Sequence, residues 1–481
     1  MNFLKTSSVI QENINPNNPA IITNKYTITY SDLQNLVVET ASSLMELEIT
    51  MGDYVSIISD NNEDFVILVL ALWLIDAIPI PISTRLYASE IDELISISGS
   101  KKILVHKSLE SKFKLNRKII FPFPKSRKNN FLINSLNDEN KTAVVIFTSG
   151  STGIPKGVML SFRNLIRSVE IGDKILNQSS DDRWLVSLPF YHIGGFSIIT
   201  RTLLAGASMI IPDSSDFKDF IKCIKKFKPT LASFVGTQLK KLLDEKISPY
   251  NEIKNILIGG GFVDDSLINT ALNKGWKISK VYGSSEVSSF VAAITSDELM
   301  GRIKSSGKAI SPNEVVIVSD KREILPPNSV GEIAVKSDSV FKGYLNNEIE
   351  TKNKLTAETY YTGDIGSLDD EGYLFVQARR SDLIVTGGEN VNPMEVEKYI
   401  LQCEKIKDCC VIGIEDKIWG QIVVAAIVSK DRTISEESVK NFLRKKLAGF
   451  KIPKRILFVD YLPRTSLGKV EKEKIKALMQ N

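Results

Sequence analysis

The densest phosphate chemistry in the chain lies at residues 148–157, TSGSTGIPKG, directly behind the apolar stretch AVVIF at 143–147. The hydroxyls of Thr148, Ser149, Ser151 and Thr152 can donate to phosphate oxygens, Gly150 and its fellow glycines leave backbone N–H groups open in a concave turn, and Lys156 adds positive charge. The spacing is not that of a Walker A loop, because Pro155 stands where the second glycine belongs and Lys156 is followed by Gly157 instead of a hydroxyl residue. A plain surface turn would not gather so many phosphate-compatible groups, so the stretch reads as a nucleotide-binding loop of another kind.

Such a loop has to be held by a sheet. Short β-rich runs, YVSIIS at 54–59, ASMIIP at 207–212 and NILIGGG at 255–261, alternate with helical patterns from about residue 20 to 380, which argues for a large α/β domain. FVILVLALWLI at 65–75 has 11 residues, about half of a membrane span, and fits a buried helix. After about residue 381 the pattern changes. CCVIGI and IVVAAIVS read as strands, and residues 435–450 read as an amphipathic helix, with Thr433 and Glu436 at capping-box spacing and Pro453 beyond its end. The expected division is therefore a large domain at 1–380 and a small α+β domain at 381–481, joined near Ser381.

Composition narrows the class. Of 481 residues 43% are hydrophobic and 25% charged, as in soluble globular proteins, and a net charge of +4 with scattered lysines gives no reason to expect nucleic acid as a partner. The N-terminal stretch lacks the long apolar core and cleavage site of a secretory signal, and no segment suits a membrane span. Four cysteines without a CxxC pair and only two histidines argue against structural zinc and for a reducing, cytoplasmic setting. Homo-oligomerisation is left open.

The phosphate loop does not stand alone. ILIGGG at 256–261, VYGSSE at 281–286, YYTGDIGSLDDEGYLFVQARRSD at 360–382 and LPRTSLGK at 462–469 follow it in order. Together these motifs resemble the signature of the adenylate-forming superfamily of acyl-CoA synthetases, luciferases and peptide-synthetase adenylation domains, over nearly the whole chain. The resemblance implies a large multi-sheet N-terminal domain and a small mobile C-terminal domain. It also implies a reaction that joins a carboxylate to the α-phosphate of ATP, expels pyrophosphate and passes the acyl group to a thiol.

Residue by residue, the resemblance implies that the loop holds the departing phosphates, that Gly260, Gly261, Gly283, Ser284 and Ser285 line the nucleotide site, and that Tyr282 lies against adenine. Glu286 matches the magnesium ligand, a task suited to a hard oxygen donor. Asp364 matches the aspartate whose two oxygens take both ribose hydroxyls, and Arg379 the ribose-binding arginine beyond it. Lys469 matches the lysine that bridges carboxylate and α-phosphate, so the implied catalytic set is Lys469, Glu286, Thr148 and His192. Ser381 matches the hinge, and Gly387 and Gly388 in TGGEN match the segment that lines the thiol tunnel. CoA is the implied thiol. Ser285 replaces the usual threonine and keeps its hydroxyl, and Ala378 replaces a usual glycine.

LPFYHIGGFSIITRTLLAGA at 188–207 matches the segment bordering the acyl group, which places His192 and Gly259 at the acyl substrate. Arg201 interrupts this apolar helical pattern, and a buried unpaired charge is costly, so it needs an anion. Within the superfamily these segments look most like the o-succinylbenzoate–CoA ligases of menaquinone synthesis, whose aromatic substrate carries a second carboxylate for Arg201 to bind. A ligase for an aryl or fatty monocarboxylate is the alternative, and it expects Arg201 to point away from the pocket. A silent adenylate-binding module is the third reading, disfavoured by the presence of Lys469 and Glu286.

Overall fold

The computed structural model describes residues 14–113, 115, 118–124, 138–148, 155–260, 263, 265–378, 384–430, 433–463, 470 and 472–480. Among the described residues the strands form five sheets. The largest has nine strands, and its centre is parallel: Ile278–Tyr282, Asn255–Ile258, Leu231–Phe234, Arg183–Leu185, Ser208–Ile210 and Pro19–Ile22 lie side by side in that order. Helices Phe217–Phe227, Gly236–Asp244 and Asp265–Asn273 make the crossovers between successive strands, as parallel pairing requires. A second parallel sheet is built from Ile78–Ile82, Tyr54–Ile58, Lys102–His106 and Lys118–Phe121.

Helix Glu63–Leu74 carries the long apolar run. Asn62 caps it by accepting the Phe65 N–H at 2.8 Å, and every side chain from Phe65 to Leu74 is buried. A helix apolar on all faces needs cover on all faces, and Trp73 takes up its one polar group by donating to the Ala143 carbonyl at 2.6 Å. Ala143 lies on strand Thr142–Thr148, which leads to the phosphate loop and pairs antiparallel with Lys156–Ser161. The hairpin connection itself, residues 149–154, lies outside the described residues.

The small unit has its own five-stranded sheet, with Gly420–Ser429 at its centre and its hairpin partner Ile406–Asp416 at one edge, and its apolar cores draw only on residues from 384 onward. The expected hinge residue Ser381 lies outside the described residues. The amphipathic helix differs from expectation at both ends. It spans Glu436–Arg444, its cap is Ser435 in reciprocal bonds with Ser438, and Thr433 instead accepts from the Lys405 ammonium at 3.3 Å. Starting at Ser435 puts both Glu436 and Glu437 in the first turn, where the helix dipole favours acid. Residues Gly449–Lys451 form a separate short 3-10 turn.

Candidate active site

The carboxyl ends of the parallel strands open into one cavity of about 1090 Å³, the place where α/β sheets commonly hold ligands. Strand Asn255–Ile258 delivers Gly259 and Gly260 to its wall, and Ile278–Tyr282 delivers Gly283, Ser284, Ser285 and Glu286. At Gly283 a side chain is excluded, since a Cβ there would sit 1.7 Å from the Ser289 carbonyl oxygen. Thr148 and Lys156 enter from the hairpin, Asp364 from strand Thr359–Leu368, His192 and Arg201 from helix Ile193–Ala205 and its N-cap, and Gly387 and Gly388 from the small unit.

The nucleotide end is polar and partly pre-bonded. Tyr282 does not itself line the cavity, but its hydroxyl donates to Asp364 Oδ2 at 2.8 Å, which ties the expected base-side and ribose-side residues together. Tyr344 donates to Oε1 of Glu286, a lining residue, at 3.0 Å. The Ser284 hydroxyl is buried, lines the cavity and has no partner among the described residues. Such an orphan donor fits a polyoxyanion arriving from outside. Lys156 is turned to Glu350, with Nζ to Oε1 at 2.5 Å, and lies 5.3 Å from the Tyr344 ring centroid. The Glu286 carboxylate on the wall suits a magnesium ion that takes its remaining ligands from phosphates and water.

Around Arg201, at the end where the acyl group is expected, aromatic side chains surround one cation. Arg201 is 1% exposed, its guanidinium lies 4.4 Å from the Phe290 ring centroid and 5.5 Å from that of Trp184, and burial alone pushes its pKa down to about 9. At neutral pH it therefore stays charged. Among the described residues its one side-chain hydrogen bond runs to the Ser289 hydroxyl at 3.1 Å, Nε has no partner, and no carboxylate pairs with it. Ser289 holds φ at +104°, a strained backbone for a residue with a side chain.

The small unit closes the third side. Glu389 reaches across to Arg85 at 2.8 Å and to His192 Nε2 at 3.0 Å. Burial pushes the Glu389 carboxyl up, but His192, Arg85 and Lys451 together hold it below its ordinary value, so it sits there as a carboxylate. Gly387 and Gly388 have positive φ, and a Cβ on Gly387 would meet the Trp419 ring at 2.7 Å. Arg85, Glu350, Ser289 and Trp419 line or brace the site and carry no motif in the sequence, and Glu389 stands inside TGGEN, where only the glycines drew notice. Of the expected site residues, Ser149, Gly150, Ser151, Thr152, Gly261, Arg379 and Lys469 lie outside the described residues.

Comparison with known proteins finds two family matches. The profile of AMP-binding enzymes matches residues 10–345, and that of the AMP-binding enzyme C-terminal domain matches 395–469. The chain is 33% identical over 460 residues to a 2-succinylbenzoate–CoA ligase of Geobacillus sp. (strain WCH70), covering 94% of this chain and 93% of that one. Among solved structures it is similar to o-succinylbenzoate CoA synthetase of Bacillus subtilis, at 30% identity over 99% of this chain and 98% of that one. The TM-score is 0.92 for a double mutant bound with the product analogue OSB-NCoA, and 0.74 for the complex with the acyl-adenylate OSB-AMP. The same protein with ATP and magnesium ion gives 0.73 at 29% identity, with 99% of each chain covered.

Proposed function

The chain belongs to the family of AMP-binding enzymes, and from that premise we propose that it is the ligase that converts o-succinylbenzoate to o-succinylbenzoyl-CoA. A carboxylate oxygen of the acid bonds to the α-phosphorus of ATP as the bond from that phosphorus to pyrophosphate breaks. The sulfur of CoA then bonds the acyl carbon as its bond to AMP breaks.

The observation that carries the substrate assignment is Arg201, a buried cation on the wall of the acyl end with two aromatic rings against it and, among the described residues, no acid beside it. A substrate with a second carboxylate supplies the missing anion, while the aromatic ring of that substrate suits the apolar surroundings. The alternative monocarboxylate reading wants this side chain turned away from the cavity. The names of the relatives support the same reading.

In this reading Thr148 and the loop behind it hold the β- and γ-phosphates, and the Ser284 hydroxyl meets an acceptor. Glu286 holds the magnesium ion, which supplies charge to offset the leaving pyrophosphate. Asp364 takes the ribose hydroxyls and Tyr282 orients it. Lys469 bridges the attacking carboxylate and the α-phosphate during adenylation, Arg379 supports the ribose, and Ser381 is the hinge. Gly387 and Gly388 line the path by which the thiol reaches the acyl carbon, and His192, held by Glu389, borders the acyl group. With ATP and CoA as substrates and its cysteines free, the enzyme belongs in the cytoplasm.

The test is pyrophosphate release dependent on ATP, CoA and magnesium, with o-succinylbenzoate, benzoate, coumarate, hexanoate and palmitate as acids. Preference for o-succinylbenzoate by at least about a hundredfold in kcat/KM is expected from a desolvated charge pair. Equal rates with benzoate or a fatty acid would overturn the substrate and leave the adenylation chemistry.

A further inference from the structure

A second ionic cluster lies away from the reacting groups, in the seam between the two units. Glu90, in the first turn of helix Ala88–Ser98 of the large unit, accepts the Tyr87 backbone N–H at 3.0 Å with one carboxylate oxygen. Its other oxygen takes Lys451 Nζ at 2.8 Å, although the two residues stand 361 positions apart. Lys451 also donates to Glu395, in the first turn of helix Pro393–Ile400, at 2.7 Å. The three side chains are 4%, 10% and 12% exposed in the order Glu90, Lys451, Glu395, so the cluster is shielded from water.

We propose that Lys451, clamped between Glu90 and Glu395, is the positioning residue that docks the small domain for acyl transfer to CoA. The geometry explains why an ion triad stands where apolar side chains would hold a permanent seam at least as well. Lys451 ends the turn Gly449–Lys451, and Gly449 and Phe450 of that turn line the cavity beside Gly387 and Gly388. Fixing the ammonium therefore fixes the mouth through which a thiol would enter. Glu90 and Glu93 on the large unit face Glu395 and Tyr399 on the small one, so without the lysine the two faces meet as acid against acid. Only the docking that inserts Lys451 between Glu90 and Glu395 leaves no buried carboxylate bare, and a dock out of register leaves one. The two solved structures of the Bacillus subtilis relative match this chain at TM-scores of 0.92 and 0.74 over the same 99% of its length, so they differ from one another in arrangement.

The proposal rests on the acyl-CoA ligase reading, and its test separates the half-reactions. Glu90→Gln and Lys451→Met are compared with wild type in adenylate formation without CoA, then in single-turnover loss of preformed adenylate on adding CoA. Lys451→Met, which leaves two buried carboxylates facing each other, is expected to slow the second step at least about thirtyfold. Glu90→Gln leaves the neutral pair of Lys451 and Glu395 and is expected to slow it about threefold to tenfold. Adenylate formation stays within about twofold of wild type in both. Equal losses in both half-reactions, or a normal second step in both variants, would overturn the dock. Spin-label distances between one site on each domain serve as the second readout. If wild type makes an adenylate but no thioester, the function reading fails, and the dock is then judged by the short-distance population. An unchanged population in Lys451→Met overturns it.

Discussion

Two buried cations in this protein, Arg201 and Lys451, solve the same electrostatic problem in opposite ways. Arg201 is 1% exposed among aromatic rings, with a serine hydroxyl and, among the described residues, no acid. Lys451 is buried too and has two carboxylates within 2.8 Å. Burial pulls both pKa values down, but Glu395 and Glu90 more than offset it for Lys451, whose ammonium ends above its ordinary value, while nothing offsets it for Arg201. The difference separates a charge that waits for a ligand from a charge whose partners are in the protein. An unpaired buried cation on a cavity wall points to the substrate, and a fully paired one in a seam points to how domains meet.

The same replacement at both sites breaks the comparison most sharply. Arg201→Met removes a lone buried charge, so the free protein is expected to gain about 1–3 kcal/mol against unfolding, net of the lost ring contacts. Its kcat/KM for o-succinylbenzoate is expected to fall by about two to three orders of magnitude, with benzoate affected less than about fivefold. Lys451→Met should behave in reverse: it leaves Glu90 and Glu395 uncompensated, so thermal unfolding of the docked form moves down, by about 2–4 kcal/mol, and the choice of acid does not change. Calorimetry with the acid panel decides. Loss of stability in Arg201→Met would mean that it has a partner in the protein after all.

What could be read ahead of the structure follows the same division. Thr148 and Lys156 were legible as cavity residues because hydroxyls, glycines and a lysine stand within ten residues, and Arg201 because one charge interrupts an apolar helix. The alternating strands and helices gave the parallel sheet, whose strand ends then became the site. The bracing ion pairs were not legible. Arg85 and Glu389 are 304 positions apart and Lys156 and Glu350 are 194 apart, and local sequence does not say which charges meet across such separations. The cap at Ser435 was missed by two positions for a local reason: Thr433 and Ser435 are both competent caps, and only the placement of the acidic first turn separates them.

A smaller effect at Ser289 sharpens the account of Arg201 itself. Its hydroxyl takes the one side-chain hydrogen bond of the guanidinium, and its backbone, at φ +104°, favours glycine. Both Ser289→Ala and Ser289→Gly remove the hydroxyl, so both should raise KM for o-succinylbenzoate about threefold to tenfold, with kcat nearly unchanged, as Arg201 loses its fixed direction. The two variants part in stability. Alanine keeps the backbone strain and glycine releases about 1 kcal/mol of it, partly offset by the freer unfolded chain, so the glycine variant should unfold at the higher temperature. If glycine raises the unfolding temperature while KM stays at the wild-type value, the strain serves something other than aiming Arg201, and the acyl-end cation is oriented by its aromatic neighbours alone.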